Sequence, residues 1–447
     1  MAVMKTDCII IGAGFAGLAC ARSLEAAGRS VTLLEARDRV GGRSDSDTLG
    51  SRRVDVGGQW VGATHERLIE LLDRAGLATH PQFDAGRAVL HLSGRRSEYA
   101  GLIPRISPLA LVDMQQALWR ISRLTAKARS AGDDPRGLAR LDEQTLATWL
   151  RRNTVSRQTR DVFAIAARGV LGVEPAQVSL RTFVEYCARN GSLESLIATT
   201  GGAQDRVVDG SMHRLAEWLA GQLAASPILN APVTRVVQHD TGVEVFADGR
   251  CWSAERVVIT VPVGLRGKID FEPGLPGPMA QASQRLPAGS IIKCHVAYDR
   301  PFWREAGLSG EALSASLPFS PVFDHSDPAG NHYSLVGFVA GDAALEYSAR
   351  PAAVRRQAVI DSLVTFFGNE AATPTAYLEK DWLTDPWSVG CYVGVAAAGY
   401  YSRTRPYIAR PVGRLHWAGT ETAEFGLGYI EGAIRSGERA AREIAEQ

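Results

Sequence analysis

The chain opens with apolar and polar positions that change period within the first 35 residues. A buried strand (DCIII) leads into a glycine turn (GAGFAG), a helical stretch (LACARSLEAAG) and a second strand (SVTLLE). Gly28 is placed to end the helix, because glycine readily adopts the left-handed conformation found there. Residues 7 to 35 are therefore predicted to form one βαβ unit.

Farther along, the spacing becomes helical and then strand-like. Apolar positions from about residue 104 to 225 recur near helical spacing, which predicts a helical insertion. Strands are predicted at residues 228 to 261, 291 to 298 and 333 to 339. A final strand (RLHWAG) precedes a helix that begins near residue 430, and four prolines between 273 and 289 indicate a crossover between domains. Together these patterns are typical of a protein that mixes helices and sheets.

Length, charge and cysteine usage narrow the function. The 447 residues exceed what one hydrophobic core usually supports, so two domains are expected. A formal net charge of +1 provides no overall field that would concentrate the protein on nucleic acid or acidic lipid, so small molecules are the expected partners. The six cysteines have no paired or metal-ligand spacing, so no metal site is expected and a cytoplasmic location fits. No run approaches the ~18 to 20 apolar residues of a membrane span, which predicts a soluble protein.

The glycine turn carries the first candidate chemistry. Gly12, Gly14 and Gly17 fit G-x-G-x-x-G between a strand and a helix. The first permits a tight turn, the second lets the backbone approach a pyrophosphate, and the third lets the helix pack closely on the strand. Glu35 ends the second strand, where a carboxylate can accept hydrogen bonds from ribose hydroxyls. A glycine-rich helix start without a ligand is the alternative, and these residues do not separate NAD from FAD.

The continuation favours a single flavin. Residues 39 to 43 (RVGGR) could place a guanidinium over the pyrophosphate as a fixed fork. The sequence has no second G-x-G-x-x-G for a separate nicotinamide cofactor. A flavin bound here would then be reoxidised by oxygen or by a protein acceptor.

Several motifs stand in order along nearly the whole chain: GAGFAGL, LLEARDRVGGR, DVGGQWVG, TTGGAQDRVVDGS, IIKCHVAYDRPFWR, WSVGCY and HWAGTETAEFGLGYIEGAIRSGERAA. Together they resemble the flavin-containing monoamine oxidase family, which includes putrescine and polyamine oxidases. The resemblance implies an α/β fold, in which a Rossmann-like FAD-binding domain of discontinuous segments is interleaved with an α+β substrate domain of mixed sheet and helices. The FAD-binding domain is expected at residues 1–78, 206–283 and 384–447, and the substrate domain at 79–205 and 284–383.

The resemblance places catalytic roles on Lys293, Tyr392 and Tyr429. The family's lysine hydrogen-bonds through water to flavin N5, and a cation there could help oxygen accept electrons. The two tyrosines flank the amine and can polarise its nitrogen lone pair. Taken alone, Lys293 would more often lie on the solvated face of a strand, and each tyrosine would more often be ordinary packing.

Cys391 has two interpretations. It matches the cysteine that forms a covalent thioether with the flavin in the animal monoamine oxidases. A free cysteine is, however, typically a small buried hydrophobe, and microbial relatives can hold FAD without a covalent bond. Covalent attachment through Cys391 is therefore left open.

The remaining site residues also rest on the resemblance. The helix after Gly428 is expected to direct its N-terminus at the flavin, where its dipole stabilises negative charge. The substrate pocket is expected to include Ile197, Gln204 and Phe338, with core packing as the alternative for Ile197 and Phe338. Residues expected to contact or support FAD are Gly12, Gly14, Gly17, Glu35, Arg37, Gly42, Arg43, Gly58, Gln59, Trp60, Val233, Trp382, Cys391, Gly419, Thr420, Glu421 and Ile430.

Two departures from relatives bear on the substrate and location. The animal enzymes carry a C-terminal membrane anchor, whereas this chain ends in REIAEQ, so no anchor is expected. Amino-acid oxidases commonly have Met-Arg after the paired glycines, with the arginine binding the substrate carboxylate. Here Gln59-Trp60 stands instead, which favours amines without a carboxylate, although Arg87 could still serve.

The expected reaction is FAD-dependent oxidation of a primary or secondary amine to an imine and then an aldehyde, with reduction of O2 to H2O2. The expected partners are a small-molecule amine and O2, without nucleic acid, and a homodimer is left open. One alternative is a flavin dehydrogenase or desaturase that uses a non-oxygen acceptor. Another is a non-catalytic binding protein on the same fold. Whether the amine is aromatic, aliphatic or a diamine is not decided.

Overall fold

The computed structural model describes residues 4–101, 104–131 and 138–446. Within them the strands are β1 (Met4–Ile11), β2 (Val31–Leu34), β3 (Ser46–Leu49), β4 (Arg52–Asp55), β5 (Trp60–Val61), β6 (Thr79–Pro81), β7 (Arg87–Leu92), β8 (Arg95–Tyr99), β9 (Arg206–Val208), β10 (Val233–Gln238), β11 (Val243–Ala247), β12 (Arg250–Ile259), β13 (Asp270–Glu272), β14 (Ile291–Tyr298), β15 (Leu308–Ser314), β16 (Phe319–Asp324), β17 (Tyr333–Ala340), β18 (Ala376–Asp381) and β19 (Leu415–Trp417).

The α-helices of the same described ranges are α1 (Phe15–Ala26), α2 (Glu66–Ala75), α3 (Pro108–Ala131), α4 (Ala139–Asp142), α5 (Leu146–Asn153), α6 (Arg157–Leu171), α7 (Leu180–Arg189), α8 (Leu193–Ile197), α9 (His213–Gly221), α10 (Gly277–Arg285), α11 (Phe302–Glu305), α12 (Asp342–Ser348), α13 (Ala352–Phe367), α14 (Tyr401–Thr404) and α15 (Ile430–Ala445). Short 3-10 helices lie at Val263–Lys268, Asn369–Ala372 and Thr420–Thr422.

The first sheet has the order β13-β10-β11-β12-β1-β2, and β19 also pairs with β12. The apolar run at the start of the chain forms its centre, because β1 pairs in parallel with both β12 and β2. Strands buried on both faces read as continuous apolar runs, which is how DCIII and RVVI appear in the sequence. The predicted βαβ unit is confirmed, and Gly28 follows the end of α1 with φ +77°.

Helices α1 and α15 pack closely on this sheet. They share a buried cluster with α2 and α9. A methyl group built on Gly437 of α15 would lie 2.1 Å from the carbonyl oxygen of Ala16, so only glycine permits this approach. The C-terminal helix therefore sits directly beside the helix that follows the glycine turn.

The second sheet has the order β18-β14-β17-β16-β15-β7-β8. Its strands at 291–298 and 333–340 match the predicted ones, whereas the sequence pattern did not predict β15 and β16. Helices α3 to α9 fill the predicted helical insertion, which is confirmed with one interruption by β9. The proline-rich stretch from 273 to 289 contains helix α10.

The described residues were searched for membrane-spanning helices and for groups of metal-binding side chains. None of the helices in the described ranges combines the length and apolar character that crossing a bilayer requires. The same part of the chain holds no group of His, Cys, Asp and Glu side chains arranged for a metal ion.

Candidate active site

A cavity of about 660 Å³ extends from the first sheet to the second. One end is formed by the glycine turn after β1 and by the residues that follow β2. Successive side chains on a strand point to opposite faces, so alternate positions of the second sheet can form one wall. That wall consists of Ala88 and Leu90 on β7, Ile291 and Lys293 on β14, Ser309, Glu311 and Leu313 on β15, and Pro321 and Phe323 on β16.

The glycine turn leaves room for a ligand at the N-terminus of α1. Gly12 has φ +105°, a conformation that favours glycine. The Cα of Gly42 lies 3.8 Å from a methyl group built on Gly14, and both glycines line the cavity. Gly17 has a packing role, because a methyl group there would lie 1.9 Å from the carbonyl oxygen of Gly12. No side chain caps α1, so its first N–H groups are available to a phosphate.

Glu35 and Arg37 stand side by side at this end. Glu35 is 3 % exposed; its Oε2 accepts a hydrogen bond from the N–H of Ala13 (2.7 Å) and its Oε1 from the N–H of Arg37 (2.9 Å). Arg37 Nη2 donates to Asp385 Oδ1 (2.6 Å) and to Ser388 Oγ (2.7 Å). Both Glu35 and Arg37 line the cavity, where the acid can meet ribose hydroxyls.

Of the two arginines in RVGGR, only Arg43 lines the cavity. Arg39 is not part of the wall, since its Nη1 donates to three carbonyl oxygens of its own loop at 3.1 Å each. Arg43 donates to the carbonyl oxygen of Tyr392 (2.7 Å) and pairs with both oxygens of Glu421 at 2.7 and 3.1 Å. Burial opposes ionisation of Glu421, but Arg43 outweighs it and holds the pKa of that carboxyl below its ordinary value. Glu421 supports Arg43 from outside the cavity wall.

Lys293 is buried at the middle of the cavity, so the solvated-face alternative is wrong. Its side chain is 2 % exposed on β14. Nζ donates to the carbonyl oxygen of Gly57 (2.8 Å) and to Oε1 of Gln59. Burial lowers the pKa of this amine to about 7, although the buried carboxylate of Asp55 opposes the shift. Its ammonium charge therefore titrates near neutral pH.

Three aromatic side chains expected at the substrate site lie on the cavity wall. Tyr392 and Tyr429 both line the cavity, as does Phe338. Phe338 stands edge-on to Tyr392 with 5.8 Å between ring centroids. Tyr429 stacks on Tyr186 of α7 with centroids 6.4 Å apart and planes 29° apart. The sequence did not single out Tyr186, which is 2 % exposed and also lines the cavity.

Most of the other residues expected to hold FAD lie on the cavity wall: Gly58, Gln59, Trp60, Val233, Trp382, Cys391, Gly419, Thr420 and Ile430. Trp382 is fixed by a hydrogen bond from its Nε1 to the carbonyl oxygen of Val56 (2.9 Å). Cys391 is 6 % exposed, and burial raises the pKa of its thiol to about 12. Helix α15 begins at Ile430 without a side-chain cap, and Tyr429, Ile430 and Ala433 at its start line the cavity, so the positive end of the helix dipole lies beside it.

These residues fit a flavin dinucleotide. Gly12, Gly14 and Gly42 line the cavity beside the N-terminus of α1, where their backbone can approach a pyrophosphate closely. In the middle of the cavity, Nε2 of Gln59 is buried without a hydrogen-bond partner among the described residues. Buried donors are rarely left unpaired, so this atom is expected to donate to a bound ligand. FAD offers acceptor atoms for such a donor.

The substrate end is formed by residues from several elements. Of the expected residues, Phe338 is buried and Ile197 is 44 % exposed at the mouth, and Nε2 of Gln204 donates to the carbonyl oxygen of Leu196 (3.3 Å). All three expected residues line the cavity. Arg87 does not, because it pairs with Glu98 at 3.2 Å and donates to a carbonyl oxygen.

Sequence reasoning missed the acidic side of this end. Glu311, Asp84 and the phenol of Tyr99 all line the cavity. The signal for Glu311 was present in LSGEALS, where Ser309, Glu311 and Leu313 alternate with buried small and apolar residues. The cavity face of this segment has few apolar residues, so the sequence pattern did not predict a strand here. Glu311 therefore could not be assigned to a position in the fold.

A model of the family described as flavin containing amine oxidoreductase matches residues 15–445. A probable flavin-containing monoamine oxidase A of Dictyostelium discoideum is 34 % identical and covers 99 % of this chain and 98 % of its own length. An L-amino acid dehydrogenase of Synechocystis is 34 % identical over 98 % of this chain and 94 % of its own length. The solved structure of a wild-type putrescine oxidase bound to putrescine has a TM-score of 0.95 at 33 % identity, covering 100 % of both chains.

Proposed function

This chain belongs to the family of flavin-containing amine oxidoreductases, and from that premise we propose that Lys293, Tyr392 and Tyr429 form its catalytic face. The protein is an FAD-dependent amine oxidase: it oxidises a primary or secondary amine to an imine and thence an aldehyde, and reduces O2 to H2O2. Bound FAD supplies the acceptor for the hydride equivalent and passes the electrons to oxygen.

The observation that carries the assignment is the placement of Lys293. Lys293 is only 2 % exposed, and burial of an ammonium group costs free energy, so a functional role is favoured over a purely structural one. Its Nζ is held by Gly57 and Gln59 in the same cavity that Tyr392 and Tyr429 line. A cation held there can stabilise negative charge that develops as oxygen is reduced.

We assign the tyrosines to the amine. Tyr392 is braced by Phe338 and Tyr429 by Tyr186, so both rings are held by neighbouring aromatics. A neutral amine between two π faces is oriented and its lone pair is polarised, and water is excluded by the apolar wall. The amine then reacts as the free base, so kcat/KM is expected to rise with pH toward the pKa of the substrate amine.

Residues of the first sheet are assigned to FAD. The N–H groups at the start of α1 and the guanidinium of Arg43 are proposed to bind the pyrophosphate, and Glu35 the ribose. Gln59 and Trp60 are proposed to contact the isoalloxazine, and the N-terminus of α15 to face its pyrimidine edge. The proposed FAD-binding segments, 1–78, 206–283 and 384–447, contain every strand of the first sheet.

We propose that FAD is held without a covalent bond. Formation of a thioether requires a thiolate, and the raised pKa of Cys391 leaves very little thiolate at neutral pH.

All six cysteines are free, which supports a reducing, cytoplasmic setting.

A homodimer is also proposed. Leu109, Val112 and Trp119 of α3 are exposed by 67, 70 and 55 %, and their spacing places them along one helical stripe. Exposed apolar stripes of this kind are characteristic of contacts with another protein. We expect Trp119→Glu to shift the protein from dimer to monomer in size-exclusion chromatography.

A substrate with a carboxylate beside the amine is disfavoured, despite the similarity to an amino-acid dehydrogenase. Among the described residues that line the cavity, the arginines are Arg37 and Arg43. Asp385 and Glu421 already pair with them. Both guanidiniums are assigned to the cofactor end of the cavity, so no arginine of the described lining is left at the substrate end to bind a carboxylate.

The proposal is tested with purified protein and a panel of amines in a peroxidase-coupled assay. We expect a flavin absorption band, peroxide release with amines, and loss of most activity in Tyr429→Ala but not in Tyr429→Phe. Equal activity of the alanine variant would remove Tyr429 from the catalytic face. Electron transfer to a quinone dye without peroxide would instead assign the protein to the dehydrogenases.

A further inference from the structure

A connecting segment, residues 55–58, runs from the end of β4 to Gln59 and Trp60 on the cavity wall. The N–H groups of its last three residues donate to the carbonyl oxygens of Asp45 and Arg43 at 2.9 to 3.2 Å. The loop that follows β2 thus satisfies these donors, and the carbonyl groups of the segment need partners on its other side. The second sheet supplies them.

Three side chains at the second sheet donate to successive carbonyl oxygens of the connecting segment. Two of them, His295 and Lys293, lie two positions apart on β14 and therefore point to the same face of the strand. The third, Trp382, directly follows β18. The hydrogen bonds run from His295 Nε2 to Asp55 (2.9 Å), from Trp382 Nε1 to Val56 (2.9 Å) and from Lys293 Nζ to Gly57 (2.8 Å). The register of the segment against β14 is thus fixed at two points, one on either side of Val56.

His295 is a neutral donor in this arrangement. A carbonyl oxygen only accepts, so Nε2 carries the proton of the ring. The ring is fully buried, and burial together with the charge of Lys293 holds the pKa of His295 well below its ordinary value. Its hydrogen bond to Asp55 therefore persists while Lys293, with a pKa of about 7, gains or loses its charge. The other titratable or charged groups around the ring are the carboxyl of Asp55, Arg52, His325 and His332.

We propose that His295 is a positioning residue for the reaction with oxygen: it fixes the connecting segment against β14 and so holds Nζ of Lys293 in its place in the cavity. The inference rests on the proposed role of Lys293 and deepens it. Both acceptors of Nζ, the carbonyl oxygen of Gly57 and Oε1 of Gln59, belong to the segment or follow it directly, so Nζ moves when the segment moves. The lysine stem is flexible and does not by itself fix the ammonium. His295 does not line the cavity, so it acts on the reaction only through this contact.

The test compares His295→Leu, which removes the donor, with His295→Gln, whose amide N–H can take the place of Nε2–H. Each holoenzyme is reduced by amine without oxygen and then mixed with oxygen, at a pH below the pKa of Lys293. We expect His295→Leu to react with oxygen about 10- to 100-fold more slowly than wild type, because a displacement of about 1 Å at a reacting centre has an effect of that order. Its reduction by the amine should change less than about threefold, since the perturbation is confined to the surroundings of Nζ. His295→Gln should recover most of the lost rate with oxygen.

A second readout does not depend on turnover. Hydrogen–deuterium exchange, followed by mass spectrometry of peptides that cover residues 55–60, reports how firmly the connecting segment is held. His295→Leu should raise the exchange of these amides by about 2- to 10-fold, as expected for one lost hydrogen bond, and His295→Gln should restore it. Peptides that cover the glycine turn at residues 12–17 should not change.

Two further proteins separate positioning from a general structural effect. In the Lys293→Met background, adding His295→Leu should slow the reaction with oxygen by less than about threefold, because a residue that acts through the ammonium then has nothing to position. His416→Leu, at another fully buried histidine, on β19, should change neither half-reaction nor the exchange of the segment.

Three results would each overturn the inference: equal slowing of both half-reactions in His295→Leu, an unchanged rate with oxygen, or a full additional loss in the Lys293→Met background. Should His295→Leu not fold, His295→Asn takes its place, since its shorter amide does not reach the carbonyl oxygen of Asp55. If Lys293→Met itself reacted with oxygen as fast as wild type, the proposed role of Lys293 would fail, which is a distinguishable outcome.

Discussion

Replacing Lys293 with methionine tests the proposed role of its charge in the reaction with oxygen. Methionine keeps much of the side chain's volume but removes the ammonium group, and the site is buried, so water cannot simply replace the charge. Nζ donates two hydrogen bonds, to Gly57 and Gln59, and both acceptors lose their donor in the variant. The substitution is therefore expected to change the charge and hydrogen bonding only around the position of Nζ.

The magnitude follows from the burial and the pKa. Removing one preorganised group that stabilises developing charge typically slows the step by about 10²- to 10³-fold. Because the pKa of Lys293 is about 7, the ammonium is present below pH 7 and is lost above it. Wild type should then react with oxygen about tenfold more slowly for each pH unit above 7, until it reaches the rate of the variant. The variant itself should show no such dependence.

Stopped-flow absorbance separates the two half-reactions. Flavin is first reduced anaerobically by excess amine and then mixed with oxygenated buffer from about pH 6 to about pH 10, a range that begins below the pKa of Lys293 and ends close to that of a free lysine. Reduction by the amine should rise with pH in both proteins, since the free base reacts. A wild-type rate with oxygen that stays flat across this range, or a variant as fast as wild type at pH 6, would refute the role of the ammonium.

Three further experiments, two with variants and one with the wild-type protein, have definite expected results. Gly17→Ala places a methyl group 1.9 Å from a backbone oxygen and should yield protein with little bound flavin by absorbance ratio, whereas Gly221→Ala, in open space, should bind normally. Arg43→Met leaves Glu421 buried without its cation and should lower stability by about 3–5 kcal/mol in thermal or denaturant unfolding, with recovery when Glu421→Gln is added. Acid precipitation of wild type should release the yellow colour into the supernatant, because the thiol of Cys391 stays protonated; colour in the pellet would contradict this.

The dinucleotide half of the molecule could be predicted because its residues are local. Gly12, Gly14, Gly17 and Glu35 lie within one βαβ unit, so their spacing alone brings them together. The same holds for the start of α15, whose helix was expected near its observed first residue. Periodicity and turn chemistry are sufficient where the chain does not have to return from far away.

The substrate end of the cavity could not be predicted in the same way, because it is built by contacts between residues that lie far apart in the sequence. Lys293 was correctly placed on a strand, but lysine is rarely buried, so the solvated face was favoured. Its ammonium is covered by Gly57 and Gln59, which lie more than 230 positions earlier in the sequence. Tyr186 reaches Tyr429 from a helix that lies 243 positions earlier in the sequence. Glu311 was not noticed because β15 is short of apolar residues on the face that forms the cavity.

The charges along the cavity explain how one space serves two ligands of opposite sign. Arg37 and Arg43 lie toward the first sheet, with the N-termini of α1 and α15, and Lys293 lies at the middle of the cavity; together these positive charges favour the phosphates and the reduced flavin. Glu311 and Asp84 lie toward the mouth and favour an amine that arrives as a cation. The reacting nitrogen must lose its proton between these regions, where the apolar wall disfavours charge.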